Sequence, residues 1–408
     1  MLVTIVAMWS GVRSFFFDTL ATRLDTNQPG ANQIVDSLTS AADWDPNAHL
    51  LAARYYESTF DAMGLGRTVA EYRRATELAP EDYTVWLQLA ESLSRSGDAG
   101  GAETAFARAS TLAPNYAAVQ WAYGNFLIRQ GRNDEAFPLI TQAAIGDEKL
   151  SSPAVATVLQ ITDGDVAKTR QLLGNEPTVN AALSQTLAAM KNYDGALSAW
   201  QSLSPEMRSG KYREVGTRLV SSLLGATRFR AAAAVASDLA DSDAAKPVVG
   251  KVMNGDFESG VKLRKAGDFE WQIGDGGEPK IGLSPTHHGG QYSLGMTFSS
   301  FKAEDYREVS QLIAVDPSAR YRLDLWYRST LKSDAKFKWQ VMDAATNAVL
   351  ATTTEMGPAD DWTSISVPFV VPDSVDGIRV RLLREGCGGA VCAASGTIMF
   401  DDIGIGRQ

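Results

Sequence analysis

Cysteine and histidine are nearly missing from this chain. Across 408 residues only Cys387, Cys392, His49, His287 and His288 occur. So small a set leaves little for a His-based nucleophilic relay or a Cys/His metal shell. Basic residues are in deficit, with 38 Lys and Arg against 48 Asp and Glu and a formal net charge of −10. Proteins that grip phosphate backbones cluster Lys and Arg instead, so nucleic acid is not an expected partner. The sequence also lacks a phosphate loop, a dinucleotide glycine pattern and paired metal histidines, and it reads as non-enzymatic. A glycan-processing enzyme is the alternative that its many carboxylates leave open, because glycoside hydrolysis needs only two of them. An apolar fraction of 45% with 21% charged residues is that of a folded protein, and the length suits two or three domains.

Long apolar runs are scarce too. Residues 1–9 are apolar apart from Thr4, and Phe15, Phe16 and Phe17 add a second cluster, interrupted by Arg13 and Asp18. A spanning helix needs about 20 apolar residues, roughly twice this run. No basic stretch precedes it, so a cleaved signal peptide fits poorly. Two expectations stand for residues 1–24. One is a membrane anchor, shortened by a misplaced start codon or completed by snorkelling of Arg13. The other is a first helix with a strongly apolar face.

The strongest pattern present is a period. Pro46, Pro80 and Pro114 stand 34 residues apart. Between the last two, Trp86, Leu89, Ala90 and Leu93 fall on one face of a first helix, and Gly97 falls in a turn. Ala102, Phe106 and Ala109 fall on one face of a second helix. Small Ala90 and Ala102 allow two antiparallel helices to approach closely, bulky Trp86 and Phe106 fill the space beside them, and proline punctuates the units. Gly124, Leu127, Gly131, Ala136, Ile140 and Ala143 repeat these phases one period later. This pattern resembles the tetratricopeptide repeat family over residues 31–148. Degenerate helical units continue through Leu183, Leu187, Ala196, Trp200 and Leu203 to the alanine run at 231–234. The expectation is an all-α solenoid of five to six helix pairs over 31–245. The resemblance implies a protein or peptide partner in a groove built from the first helices, near residues such as Gln88 and Asn125.

The texture changes near Lys246-Pro247. Beyond it, apolar residues alternate with polar ones at 321–328, 337–341 and 378–382. Alternation with turn clusters predicts an antiparallel β-sandwich, a jelly roll, over 252–408. Three short motifs, Asn254-Gly255-Asp256-Phe257-Glu258, His288-Gly289-Gly290-Gln291-Tyr292-Ser293-Leu294 and Phe400-Asp401-Asp402-Ile403, resemble galactose-binding-like jelly rolls, which include carbohydrate-binding modules. That resemblance implies a structural calcium on Glu258 and Asp401, with Asp256 and Asp402 nearby, although no cofactor is required. Turn and edge carboxylates without metal are the alternative.

Trp326 alternates with Leu323 and Leu325, so it shares an outer face with Arg322 and Arg328. If neighbouring strands align, Lys338, Gln340, Arg379 and Arg381 join that face. A ring flanked by forked guanidinium groups suits a glycan bearing carboxylates. The alternative is that Trp326 packs under a loop or under the solenoid and that the arginines pair with Asp324. Cys387 and Cys392 enclose a short glycine-rich loop able to close a disulfide. A reduced pair or half of a zinc site are the alternatives. A disulfide implies an oxidising compartment such as a bacterial periplasm. The whole order of segments resembles bacterial envelope proteins associated with exopolysaccharide or O-antigen assembly. It implies a periplasmic, membrane-anchored scaffold, with a purely structural protein-interaction module as the alternative.

Overall fold

The computed structural model describes residues 30–59, 62–300, 306–387 and 392–408, so the expected anchor at 1–24 lies outside the described residues. The chain is an all-helical region followed by an antiparallel sandwich. Fourteen α-helices are described: α1 (Ala31–Ala41), α2 (Pro46–Ser58), α3 (Ala62–Leu78), α4 (Tyr83–Ser96), α5 (Ala99–Leu112), α6 (Ala117–Arg129), α7 (Asn133–Gly146), α8 (Glu148–Ile161), α9 (Val166–Leu173), α10 (Pro177–Ala189), α11 (Tyr193–Gln201), α12 (Pro205–Ser209), α13 (Arg213–Gly225) and α14 (Phe229–Asp238). No helix among the described residues is long and apolar enough to cross a membrane.

From the second hairpin to the third, the 34-residue period is a period of helix starts, whereas α2 and α4 begin 37 residues apart, at Pro46 and Tyr83. Helices α4 and α6 begin at Tyr83 and Ala117, and α5 and α7 at Ala99 and Asn133, the same interval in both cases. Side chains set the limits of each helix. Asp82 accepts the amide of Thr84 at 2.8 Å and Asp98 that of Gly101 at 2.9 Å, which satisfies orphan N-terminal donors. Gly97 closes α4 with φ +87°, a left-handed conformation that suits glycine. Leu89, Ala90, Leu93, Ala102 and Phe106 are buried in one cluster. Phe106 stacks on Tyr123 at 5.5 Å and touches Phe126 at 5.1 Å, so one hairpin packs on the next. A Cβ on Gly124 would meet the Ile140 side chain at 2.8 Å, so any larger residue there would have to displace Ile140 as α6 approaches α7. Gln88 is engaged by the hydroxyl of Tyr72 at 3.3 Å, and Asn125 donates to the carbonyl of Trp121 at 2.8 Å.

Packing divides the chain inside α10, with one compact unit ending at Thr186 and the other beginning at Leu187. The change of secondary structure at 246–252 is therefore not the packing boundary, and helices α11 to α14 belong to the unit that contains the sandwich. In that unit Trp200 is buried, and its indole donates to Asp238 at 2.8 Å.

Among the described residues the sandwich has eleven strands: β1 (Gln272–Ile273), β2 (Lys280–Ser284), β3 (Ser293–Ser300), β4 (Val309–Ala314), β5 (Arg320–Ser329), β6 (Lys332–Ser333), β7 (Lys336–Asp343), β8 (Val349–Thr352), β9 (Ala359–Val370), β10 (Gly377–Glu385) and β11 (Ala394–Arg407). One sheet runs β1-β4-β10-β7-β8, and the other runs β2-β3-β11-β5-β9 with β6 on β11. Period-two alternation turns Leu323, Leu325, Phe337, Trp339, Val380 and Leu382 into a shared core with Phe257, Trp271 and Phe400. Trp271 and Phe400 meet the indole of Trp339 edge-on at 5.9 and 5.3 Å.

Candidate functional site

The candidate glycan residues lie on two different sheets. Strand β5 carries Arg322, Trp326 and Arg328 on the six-stranded sheet, whereas β7 and β10 carry Gln340, Arg379 and Arg381 on the five-stranded sheet. The single shared face expected from the sequence is thus corrected to two faces. Alternation fixes which side of a strand a residue occupies, but not which strands become neighbours.

On the five-stranded sheet β10 is the central strand, and its odd-numbered residues face outward. Arg381 stands opposite Gln340 on β7 and Ser310 on β4, and Arg379 stands opposite Met342 and Leu312. Arg381 donates through Nε and Nη2 to Oε1 of Gln340 at 3.1 and 2.9 Å, and through Nη1 to Glu308 at 3.1 Å. Lys338 is paired with Glu385 at 2.9 Å. Arg379 is half-buried and has no hydrogen-bond or ion-pair partner among the described residues. The only aromatic residues on these five strands, Phe337 and Trp339, are both turned into the core.

The six-stranded sheet carries Trp326 beneath a loop. The His288 imidazole stacks on the indole at 4.0 Å, and Trp362 meets the same imidazole edge-on at 6.0 Å. Arg322 pairs with Asp324 at 2.8 Å, while Arg328 has no partner among the described residues. Trp326 is accordingly half-buried and covered on one face, not an open platform.

The three sequence motifs meet around that loop. Asp401 is fully buried opposite Trp326; its Oδ2 accepts the amides of His288 at 2.7 Å and Gly289 at 3.1 Å. Its Oδ1 accepts the amide of Asp402 at 2.8 Å. Burial pushes the Asp401 carboxyl above its ordinary pKa, against the pull of those three amides. Glu258 accepts the amides of Gln291 at 2.7 Å and Tyr292 at 2.9 Å, which hold its pKa below the usual range. His288 Nδ1 lies 2.7 Å from Asp402. A Cβ on Gly290, whose φ is +64°, would fall 2.3 Å from Glu258, and one on Gly255 would fall 1.9 Å from the carbonyl of Ile403. The opening, middle and closing motifs therefore form one latch that fastens residues 286–292 onto the sheet.

The calcium expectation meets a different arrangement. Among the described residues no three His, Cys, Asp or Glu side chains come together as a group able to hold a metal ion. Glu258 accepts its two amides through Oε1 alone, Asp401 accepts three through its two oxygens, and Asp256 accepts the amide of Glu258 at 3.4 Å.

Cys387 and Cys392 are joined by a disulfide with a Cα separation of 5.4 Å. Arg384 donates to the carbonyl of Cys392 at 2.6 Å and anchors the bridge to β10. The sequence reading places His288 in a motif without giving its ring a role, and it singles out neither Trp362 nor Glu308. Each acquires its role from a neighbour distant in sequence, and no local pattern marks such a pairing.

Residues 249–383 match the family model described as carbohydrate binding domain. A comparison with curated proteins found no match. Among solved structures, a CBM4 is 15% identical and aligns over 38% of this chain and 99% of its own, with a TM-score of 0.30. The family 16 carbohydrate binding module-2 is 20% identical over 38% of this chain and 98% of its own, with a TM-score of 0.27. TmCBM61, solved in complex with beta-1,4-galactotriose, is 17% identical over 38% of this chain and 96% of its own, with a TM-score of 0.27.

Proposed function

We propose that this chain is a non-enzymatic scaffold of the bacterial cell envelope whose sandwich contacts glycan and whose helical hairpins hold a protein partner. The observation that carries the glycan half is the match of residues 249–383 to the carbohydrate binding domain family. The outward face of β4, β10 and β7 is the assigned contact surface. Arg381 is held there by Gln340 and Glu308, and a preorganised donor loses less entropy on binding. The 34-residue interval between helix starts supports a tetratricopeptide reading of the hairpins and, with it, a peptide-binding groove. The disulfide supports an oxidising compartment. Membrane attachment through residues 1–24 and a place in exopolysaccharide or O-antigen assembly complete the proposal.

A purely structural module is the second reading. It draws on the His288 cover over Trp326 and on the lack of outward aromatic residues on the five-stranded sheet. A glycan array probed with the full chain separates the two. The proposal expects retention on at least one glycan, lost in Arg381→Ala at unchanged melting temperature. Failure to bind any glycan, neutral or acidic, supports the structural module.

A further inference from the structure

We infer that the outward face of the five-stranded sheet takes a carboxylate-bearing glycan, a uronate-class chain, with Arg379 as the carboxylate contact; this rests on the glycan reading above. The inference starts from charge balance. Seven ionic side chains lie on or beside this face: Arg379, Arg381, Lys336, Lys338, Glu308, Glu355 and Glu385. Glu308 is taken by Arg381 at 3.1 Å, Glu385 by Lys338 at 2.9 Å and Glu355 by Lys336 at 3.3 Å. Arg379 is left over. It stands on the central strand between Leu312 and Met342, neither of which offers an acceptor. A guanidinium stays charged at any physiological pH, and half-burying it beside apolar groups has a desolvation cost that an incoming anion offsets.

The neighbour two residues along the strand strengthens the case. Arg379 and Arg381 lie on the same side of β10, about 7 Å apart by strand rise. Arg381 has three of its five N–H groups committed to Gln340 and Glu308, which fixes the plane of its fork and leaves two donors for a ligand. Aromatic rings, which suit the C–H faces of neutral sugars, are absent from the outward positions of these strands. The face therefore offers fixed cationic donors and little stacking surface. The chain as a whole carries a net charge of −10, so general attraction of polyanions does not supply this preference.

The test compares trigalacturonate with its methyl ester, which has the same backbone without the charges, using calorimetry on the full chain. The acid is expected to bind at least about tenfold tighter at low salt, with the advantage shrinking at about 0.5 M salt. Arg379→Gln should bring the acid down to the affinity of the ester and leave the ester unchanged. Arg379→Lys should keep part of the preference, because it restores charge without the fork. A melting curve on each variant checks the fold. Equal binding of acid and ester, or an Arg379→Gln variant that binds the acid like wild type, overturns the inference and leaves glycan binding standing. Equally tight binding of oligoglutamate also overturns it. Failure of uronate and neutral oligosaccharides alike removes the glycan reading itself.

Discussion

The imidazole of His288 lies flat on the indole of Trp326, 15° from parallel with ring centres 4.0 Å apart. The contact exists because Asp401 holds the backbone of His288 from the neighbouring strand and Asp402 holds its Nδ1. Trp326 is thus part of the latch. Trp326→Ala should cost about 2 kcal/mol, below the ~3–5 kcal/mol of a fully buried ring, because one edge of the indole remains in water. Glycan affinity on the five-stranded sheet should not change. A variant that melts like wild type but loses glycan would return Trp326 to the binding surface.

The latch also shows what the sequence could and could not reveal. Helix pairs were legible from the period because their contacts are local: Leu89, Ala90 and Leu93 repeat at helical spacing, and Gly97 marks the stop. Strand faces were legible from alternation, so Trp326 was rightly set apart from Leu323 and Leu325. Sheet membership was not legible. Strand β5 neighbours β11 and β9, whereas β10 neighbours β4 and β7, and nothing in the local pattern of either strand distinguishes these outcomes. The partner of Arg381, Glu308, lies 73 residues upstream. Such pairs follow from topology, which short motifs do not encode.

Core packing in the helical region gives a ranked expectation. Phe106 is fully buried against Tyr123 and Phe126, so Phe106→Ala should cost about 3–5 kcal/mol. Trp86 is half-buried, and its indole donates to the carbonyl of Pro80 at 2.9 Å. Trp86→Ala should cost less, about 2 kcal/mol. Denaturant midpoints in the reverse order would show that the buried face is misassigned.

His49 supplies a pH-dependent term. Its buried ring lies with Nδ1 2.6 Å from Glu71 and Nε2 3.2 Å from the carbonyl of Asp43. Burial alone would lower its pKa, but Glu71, the Asp43 carbonyl and the two carboxylate charges together raise it. A histidine pKa raised in the folded state adds stability that is complete below the unfolded value of about 6.5 and is lost as pH rises through the folded value. The melting difference between wild type and His49→Gln should therefore hold steady below about pH 6.5 and shrink from there as pH rises through the folded pKa. A difference that grows over that range would reverse the assigned sign.

The disulfide closes a short loop, so its removal should matter modestly. Chain-entropy arithmetic for so small a ring gives about 2 kcal/mol for the double change Cys387→Ser and Cys392→Ser. Protein from an oxidising compartment should show no thiol at either position under denaturing conditions. Complete alkylation before reduction would remove the support the bridge lends to a periplasmic location.

The last prediction concerns the join between helix α14 and the sandwich, which lie in one compact unit. Arg228 at the N-cap of α14 makes no side-chain capping bond. Asp376, in the turn before β10, caps the helix instead, accepting the amides of Phe229 at 3.2 Å and Arg230 at 3.1 Å. The next residue is Gly377, where an added Cβ would strike the Phe229 ring at 2.4 Å. One turn thus supplies both a cap and a space, the two things that seat a helix end on a sheet. Asp376→Ala should cost about 1–2 kcal/mol, and Asp376→Asn should restore part of that by keeping one acceptor. Gly377→Ala should also destabilise, because the ring it meets is itself buried. Hydrogen exchange should quicken together in 229–238 and 377–385 in the Asp376→Ala and Gly377→Ala variants while 83–112 keeps its protection. Faster exchange confined to the helix, with β10 unchanged, would mean that the sandwich folds without regard to α14 and that the cap is only a contact.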